Sequence, residues 1–347
     1  MAKALVAMSG GVDSSVAAYL TLLSGTDCIG ATMLLWDKDP AFGNDAAAVA
    51  RKLGIPFCQV NATSLFRQQV VEPFIESYEH GLTPNPCVLC NRHLKFGWLW
   101  QQAERLGCDS IVTGHYARLQ KDPTTGRTLL CKAPDTQKDQ SYFLAGLTQQ
   151  QLARTQFPLG DLTKEQVREI ALAQGFINAK KKDSQDICFI PDGDYKAFME
   201  QYTGKRYPCG DFLDENGKVI GKHCGAVGYT LGQRKGLGLS MGAPVYVCGK
   251  DMAANTVTVG AEERLFARVL LANGSNFIPF DDLSTPMRVT AKARSRHIPQ
   301  QATVYPEENG CIRVVFDEPQ RAITPGQAVV LYDGDIVIGS ATITGAE

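Results

Sequence analysis

The chain has 347 residues, with 35 basic side chains against 36 acidic ones and 44% hydrophobic content. That length exceeds one ordinary hydrophobic core, so two or three domains are expected. The near-neutral balance excludes a global basic field for nucleic acid but leaves room for a local basic face, and no apolar run is long enough to span a bilayer. Lys3 and the apolar stretch after it are interrupted by Ser9 to Asp13, too early for a secretory signal core, so a cytoplasmic protein away from membranes is expected. Its eleven cysteines should then be mostly reduced thiols. Cys28, Cys58, Cys108, Cys131, Cys248 and Cys311 stand in apolar or strand-like surroundings and read as small buried hydrophobes.

Leu5, Val6 and Ala7 read as a buried strand, and Val16, Ala17, Ala18 and Leu20 as one helix face. Between them lies Ser9-Gly10-Gly11-Val12-Asp13-Ser14-Ser15. A strand, a Gly-Gly turn and a helix N-terminus make an anion site, because unpaired N–H groups and the helix dipole point the same way. Ser9, Ser14 and Ser15 can donate to phosphate oxygens, and Asp13 can hold a cation such as Mg2+. A Walker A loop is excluded by the absence of lysine, and a dinucleotide fingerprint by the adjacent glycines. The pattern resembles the SGGxDS loop of the ATP pyrophosphatases, which grips the β,γ-pyrophosphate of ATP.

Strand-like runs follow at Cys28 to Leu35, Phe57 to Val60 and Ser110 to Thr113, separated by helical stretches at Asp45 to Leu53, Phe66 to Tyr78 and Leu94 to Leu106. This alternation implies an α/β doubly wound parallel sheet, whose ligands sit beyond the C-terminal ends of the strands. After about residue 203, Gly and Pro become frequent and helical periodicity fades. Ala243 to Val247 and Thr256 to Val259 suggest a small β unit. Met287 to Ala293, Cys311 to Phe316, Ala328 to Tyr332 and Asp335 to Ile343 suggest a compact β-barrel. The expected division is 1–203 for the α/β region, 204–268 central and β-rich, and 269–347 a C-terminal β-barrel.

A second chemical signal is Thr83-Pro84-Asn85-Pro86-Cys87-Val88-Leu89-Cys90-Asn91, read as a loop stiffened by two prolines, with Cys90 just before a helix whose dipole favours thiolate. A lone Cys-x-x-Cys is compatible with half a zinc site, a redox pair or an iron–sulfur corner. No second Cys-x-x-Cys completes a zinc set. A third cysteine arrives in Asp183-Ser184-Gln185-Asp186-Ile187-Cys188-Phe189-Ile190.

Taken together, SGGVDSS, NPCVLCN, TGHYA (Thr113 to Ala117), KDQSYFL (Lys138 to Leu144), SQDICFI and GYTLGQRKGLG (Gly228 to Gly238) occur in one order. This series resembles the bacterial tRNA-specific 2-thiouridylase family nearly end to end. The resemblance implies ATP-dependent thiolation at C2 of the wobble uridine in tRNAs for Lys, Glu and Gln. ATP adenylates the C2 oxygen, pyrophosphate leaves into the Ser9 to Ser15 loop, a sulfur nucleophile attacks C2, and AMP departs. It assigns the nucleotide to Ala7, Met8, Ser9, Gly10, Gly11, Val12, Asp13, Ser14 and Gly114, with Met33 against adenine. Cys188 matches a cysteine that carries a persulfide, delivered by a sulfur-relay protein or cysteine desulfurase. Cys90 matches the paired nucleophile, which forms a transient disulfide. The resemblance further implies that Asn85, Pro86 and Cys87 surround a flipped-out base, with His115, Lys138, Asp139 and Gln140 nearby. Arg294, Ser295 and Gln327 match tRNA-contacting positions on the barrel, and Arg234 and Lys235 are placed to clamp phosphates.

The chain departs from the common family pattern at Cys87, where Asn-Pro-Asp is usual, so an acid/base carboxylate is missing there. Cys87, Cys90 and Cys188 form a three-thiolate set that can hold a [4Fe–4S] cluster with one iron open. Two readings of the sulfur carrier, persulfide and cluster, therefore stay open. A different ATP pyrophosphatase synthetase is the alternative from another class, and it would need neither Cys90 nor Cys188.

Overall fold

The computed structural model describes residues 2–36, 43–182 and 187–347. Its first sheet contains β1 (Lys3–Ala7), β2 (Asp27–Leu34), β3 (Phe57–Asn61), β4 (Ser110–Val112) and the short β7 (Thr155–Gln156), in the order β3-β2-β1-β4-β7 and parallel throughout. Alternation along β1 explains its central place. Ala4 and Val6 face one core, shared with helices Val12–Leu23, Asn44–Leu53 and Lys164–Ala173. Leu5 faces the other, shared with Ile111 and helix Leu99–Arg105. The strand order reverses between β1 and β4, which places a crevice at their C-terminal ends.

One departure from the expected alternation is the hairpin β5 (Arg118–Lys121) and β6 (Thr128–Cys131). It belongs to the barrel's sheet rather than to the parallel one, through Cys131 paired with Ile336. Leu130 of this hairpin, Leu5 of the parallel sheet and Val330, Tyr332 and Val337 of the barrel share one core, so the parallel-sheet region and the barrel are packed directly together.

The central region is the four-stranded sheet β10-β11-β8-β9, built from β8 (Gly210–Leu213), β9 (Val219–His223), β10 (Tyr246–Asp251) and β11 (Thr256–Gly260). The expected strand at Ala243 begins later, at Tyr246, because Pro244 has no N–H for a ladder. The barrel has six antiparallel strands: β12 (Phe266–Phe277), β13 (Met287–Lys292), β14 (Gln300–Pro306), β15 (Ile312–Arg321), β16 (Ala328–Asp333) and β17 (Ile336–Ala346). Pairing of β12 with β17 closes it. Strands β8, β9, β12 and β14 were not apparent in the sequence, since glycines and polar pairs such as Gln300-Gln301 blur their alternation.

The expected loop from Thr83 to Cys90 ends early. Pro86 starts a helical run through Pro86–Leu89, Cys90–Trp98 and Leu99–Arg105, so Cys87 lies in its first turn and Cys90 inside it. Asn85 caps the start by accepting the Cys87 N–H at 3.2 Å, and Pro86 occupies the first position, where its missing N–H costs nothing. Residues Cys90–Trp98 are π-helical, with the Leu99 N–H reaching back to the Leu94 carbonyl.

Candidate functional site: a phosphate loop joined to a thiol cluster

The Ser9 to Ser15 loop has the backbone geometry that its glycine spacing predicts. Gly10 adopts φ +76°, and Gly11 precedes helix Val12–Leu23 in extended geometry with no side chain capping it. The first-turn N–H groups therefore point out of the fold at the crevice. Ser14 Oγ accepts from the Ser9 N–H at 3.2 Å and donates to the Gly11 carbonyl, which draws the loop tight. Ser15 corrects the expectation of a third phosphate donor. It is fully buried, donates to the Gly11 carbonyl at 3.0 Å and accepts from Asn178 at 2.9 Å. Ala7 and Met8 end β1 behind the loop, and Met33 lies half-buried near the end of β2 beside them.

Lysines absent from the loop arrive from elsewhere. Lys164, whose side chain is 8% exposed, places Nζ 2.6 Å from Asp13 Oδ1, and the Tyr116 hydroxyl donates to the same oxygen at 2.8 Å. Lys181 reaches Asp45 at 2.7 Å beside the Gly10 carbonyl. Neither lysine stood out in the sequence, because each becomes a neighbour of the loop only after the helix Lys164–Ala173 packs on helix Val12–Leu23. Asp13 keeps one carboxylate oxygen without a hydrogen bond among the described residues. A single carboxylate beside phosphate oxygens is a donor set that suits Mg2+.

Gly114 is forced to be glycine. A Cβ there would stand 2.7 Å from the Asp13 carbonyl carbon and the Ser14 nitrogen. Its neighbour His115 turns the other way, into contact with Phe96 at 5.9 Å between ring centroids, and its Nδ1 lies 2.7 Å from Thr113 Oγ1. Burial first, and then the Lys95 ammonium, hold this imidazole well below its ordinary pKa, so it is neutral.

Cys90 is buried in one hydrophobic cluster with Phe189, Ile190 and the half-buried Ile187, which brings the third cysteine's segment to the NPCVLCN helix. Phe189 is gripped edge-on by Phe66 and Phe74. Residues Ser184 to Asp186 of the SQDICFI motif lie outside the described residues. Cys87 and Cys188 have solvent-exposed side chains, yet protein surrounds them on most sides. Desolvation raises all three thiols. Cys188 is pushed up to about 11, with the nearby Cys90 and Cys87 adding repulsion. The dipole-favoured thiolate expected at Cys90 is thus not found, because burial outweighs the helix terminus.

Lys95 is the residue that the sequence reading missed. It is the shared cation that lowers Cys87, Cys90 and Cys188 alike, and among the described residues it forms no ion pair. Its spacing of five from Cys90 is the clue, since a π-helical turn brings such residues onto one side. Among the described residues no three His, Cys, Asp or Glu side chains gather as a metal set.

Other expected substrate residues are partly committed to structure. Asp139 accepts from the Ser141 hydroxyl at 2.7 Å and the Ala133 N–H at 3.0 Å, and Gln140 accepts the Tyr116 N–H at 2.9 Å. Lys138 starts this turn, its N–H bonded to the Asp135 carbonyl. Asn91 Nδ2 donates to the Phe143 carbonyl at 3.0 Å, which ties the KDQSYFL turn to the cysteine helix. On the barrel, Arg294 donates to Leu231 O at 2.9 Å and to Thr324 Oγ1, with the half-buried Ser295 beside it. Gln327 donates to Thr83 O at 2.8 Å. Arg234 and Lys235 are exposed.

Comparison with known proteins decides the family. Residues 2–192 match the tRNA methyl transferase HUP domain, 196–261 the tRNA methyl transferase PRC-barrel domain and 268–343 the aminomethyltransferase beta-barrel domain. The tRNA-specific 2-thiouridylase MnmA of Clostridioides difficile is 46% identical, over 98% of this chain and 98% of that protein. The chain belongs to the tRNA-specific 2-thiouridylase family. A second tRNA-specific 2-thiouridylase, from Moorella thermoacetica, is 48% identical over 98% of each chain. Members of this family are sulfurtransferases, and the HUP domain brings ATP use. A solved 4-thiouridine synthetase–RNA complex gives a TM-score of 0.37 at 18% identity, covering 55% of this chain and 45% of that one, too slight a likeness to inform the site. Among the described residues no helix is long and apolar enough to cross a membrane.

Proposed function

We propose that this protein replaces the C2 oxygen of the wobble uridine with sulfur in tRNAs for Lys, Glu and Gln, at the expense of ATP. The observation that carries this reading is the adjacency of Gly114 and His115. The first packs on the phosphate loop, and the second reaches the helix that holds Cys90 and Lys95. One base between them meets both activation and sulfur.

The uridine C2 oxygen is a poor leaving group until it attacks the α-phosphate of ATP. The loop N–H groups and the Ser9 hydroxyl take up the charge of the departing pyrophosphate. Asp13 is the residue to hold Mg2+, which screens the phosphates when bound. Neutral His115, beside the base, accepts or donates one hydrogen bond without adding charge. Cys188 carries the incoming sulfur as a persulfide from a desulfurase or relay protein. Cys90 thiolate attacks the Cys188 sulfur, forms the disulfide and releases hydrosulfide. That hydrosulfide adds to C2 and expels AMP. A thiol reductant then returns the disulfide to two thiols. Lys95 stabilises the anionic sulfur in each step.

The test uses anaerobically purified protein, unmodified tRNA, ATP, and a cysteine desulfurase with cysteine. Iron-free protein that forms 2-thiouridine and AMP together, and loses this with Cys90→Ser or Cys188→Ser, supports the persulfide route. Stoichiometric iron and acid-labile sulfide, with activity lost on iron removal, would instead make Cys87, Cys90 and Cys188 cluster ligands. Full activity in both serine variants would return the chain to the synthetase class.

A further inference from the structure

The cysteine helix and the barrel meet where neither the phosphate loop nor the thiols are involved. Thr83 donates its N–H to the Pro325 carbonyl at 2.9 Å, and Gln327 Nε2 donates back to the Thr83 carbonyl at 2.8 Å, with the Pro84 carbonyl at 3.4 Å. Between them Gly326, at φ +91°, lies flat on the loop. A Cβ there would stand 2.8 Å from the Thr83 nitrogen and 3.0 Å from Leu82 Cβ. This contact joins residues 244 positions apart.

The barrel side of the contact is rigid. Gly326 N–H donates to the Ile343 carbonyl at 2.9 Å, and Ile343 N–H returns to the Gln327 carbonyl at 2.8 Å, so the segment is laced to β17. Behind it, Arg294 bonds Thr324 Oγ1 and the Leu231 carbonyl, which adds the central region to the same post. The loop side is rigid too. Pro84 and Pro86 limit its backbone, and Asn85 caps the turn that carries Cys87. A displacement of Thr83 therefore passes directly into the start of the cysteine helix.

We propose that Pro325-Gly326-Gln327 is a positioning clamp, through which the barrel sets the place of the Thr83 to Cys90 segment, with Gln327 as its positioning residue. The clamp rests on the proposed thiolation reading for its consequence, but its geometry stands independently. Gln327 acts through Thr83 and Pro84 rather than on sulfur or nucleotide. A shift of about 1 Å in reacting groups costs up to about a hundredfold in rate, so a loosened clamp should show in turnover rather than in binding.

The experiment compares full-length native protein with Gln327→Leu, which removes the donor, Gly326→Ala, which pushes on the Thr83 backbone while keeping the glutamine donor, and Gln327→Lys, which restores a donor. Single-turnover thiolation at saturating tRNA and ATP should fall about tenfold or more in the first two variants. The tRNA concentration giving half-saturation should move less than about threefold, and the lysine variant should recover most of the rate. In RNA-free protein, hydrogen exchange at the Thr83 amide and alkylation of Cys87 should both accelerate in the leucine and alanine variants. Should Gly326→Ala fail to fold, Gln327→Leu decides, because it adds no atoms against the loop backbone. Weakened tRNA binding with unchanged saturated rate would overturn the clamp and make Gln327 a plain RNA contact. Unchanged Thr83 exchange and Cys87 alkylation would overturn it as well. If native protein thiolates no tRNA, the functional reading fails, while exchange and alkylation still decide the clamp.

Discussion

Lys164 Nζ lies 2.6 Å from Asp13 Oδ1, an ion pair between helix Lys164–Ala173 and the phosphate loop. The loop's own sequence contains no cation, so this lysine supplies the nearest buried positive charge. Lys164→Met should lower stability by about 1–2 kcal/mol, less than for a fully buried pair because Asp13 keeps contact with solvent. It should also weaken binding of a non-hydrolysable ATP analogue about tenfold. Calorimetric titration of the variant checks this, and unchanged affinity would remove Lys164 from the nucleotide site.

Gly114→Ala is expected to be severe for its size. The new methyl would press on backbone atoms of Asp13 and Ser14, 2.7 Å away, which cannot move without disturbing the first turn of the helix. Overpacking of this kind costs about 1–3 kcal/mol. Far-ultraviolet circular dichroism should stay native while ATP-dependent AMP release falls by more than tenfold, about the loss expected from misplaced phosphate donors. Normal AMP release would mean that the loop tolerates the push.

The thiols give a pH signature. Cys188 is pushed up to about 11, and burial raises Cys90 and Cys87 in the same direction. Below its pKa, each unit of pH brings about tenfold more thiolate. Iodoacetamide labelling of Cys188 should therefore climb from pH 7 to 10 without a plateau. Removing the shared ammonium with Lys95→Ala should slow labelling of Cys87 and Cys188 at pH 8, and Lys95→Arg should restore it. A plateau near pH 8 would contradict the burial argument.

His115 makes stability depend on acidity. Its folded pKa is depressed, by burial first and by Lys95 second, while the unfolded imidazole titrates near 6.5. Below pH 6.5 the unfolded chain binds a proton that the folded one refuses, so stability present above that pH is lost as pH falls. The slope from this one group is at most about 1.4 kcal/mol per pH unit. Urea titrations from pH 7 to 5 should show the loss, and His115→Asn should reduce it, leaving the shares of His93, His223 and His297, which burial also lowers. An equal slope in the variant would assign the effect to other groups.

How legible the site was depended on sequence separation. Gly10, Gly11 and Asp13 were readable because a positive-φ turn and an uncapped helix start are local requirements. Cys87 and Cys90 were readable for the same reason, although their helical setting was mistaken for a loop. Lys95 was within reach, five residues from Cys90, but an α-helical reading places that spacing off the cysteine's face. Hairpin Arg118 to Cys131 was invisible as a barrel element, since nothing within it specifies pairing with Ile336.

By itself the sequence determined the alternating strand–helix order, the phosphate loop, the cysteine motif and, through their ordered set, the family. Backbone sterics, capping and hydrophobic period act over a few residues, and they leave marks in the chain that carries them. Tertiary structure alone decided which cation meets Asp13, that burial keeps the thiols protonated, and that Gln327 meets Thr83. Those outcomes depend on packing and desolvation among segments hundreds of residues apart, as Gln327 and Thr83 are. Such energies come from the assembled environment and have no local signature.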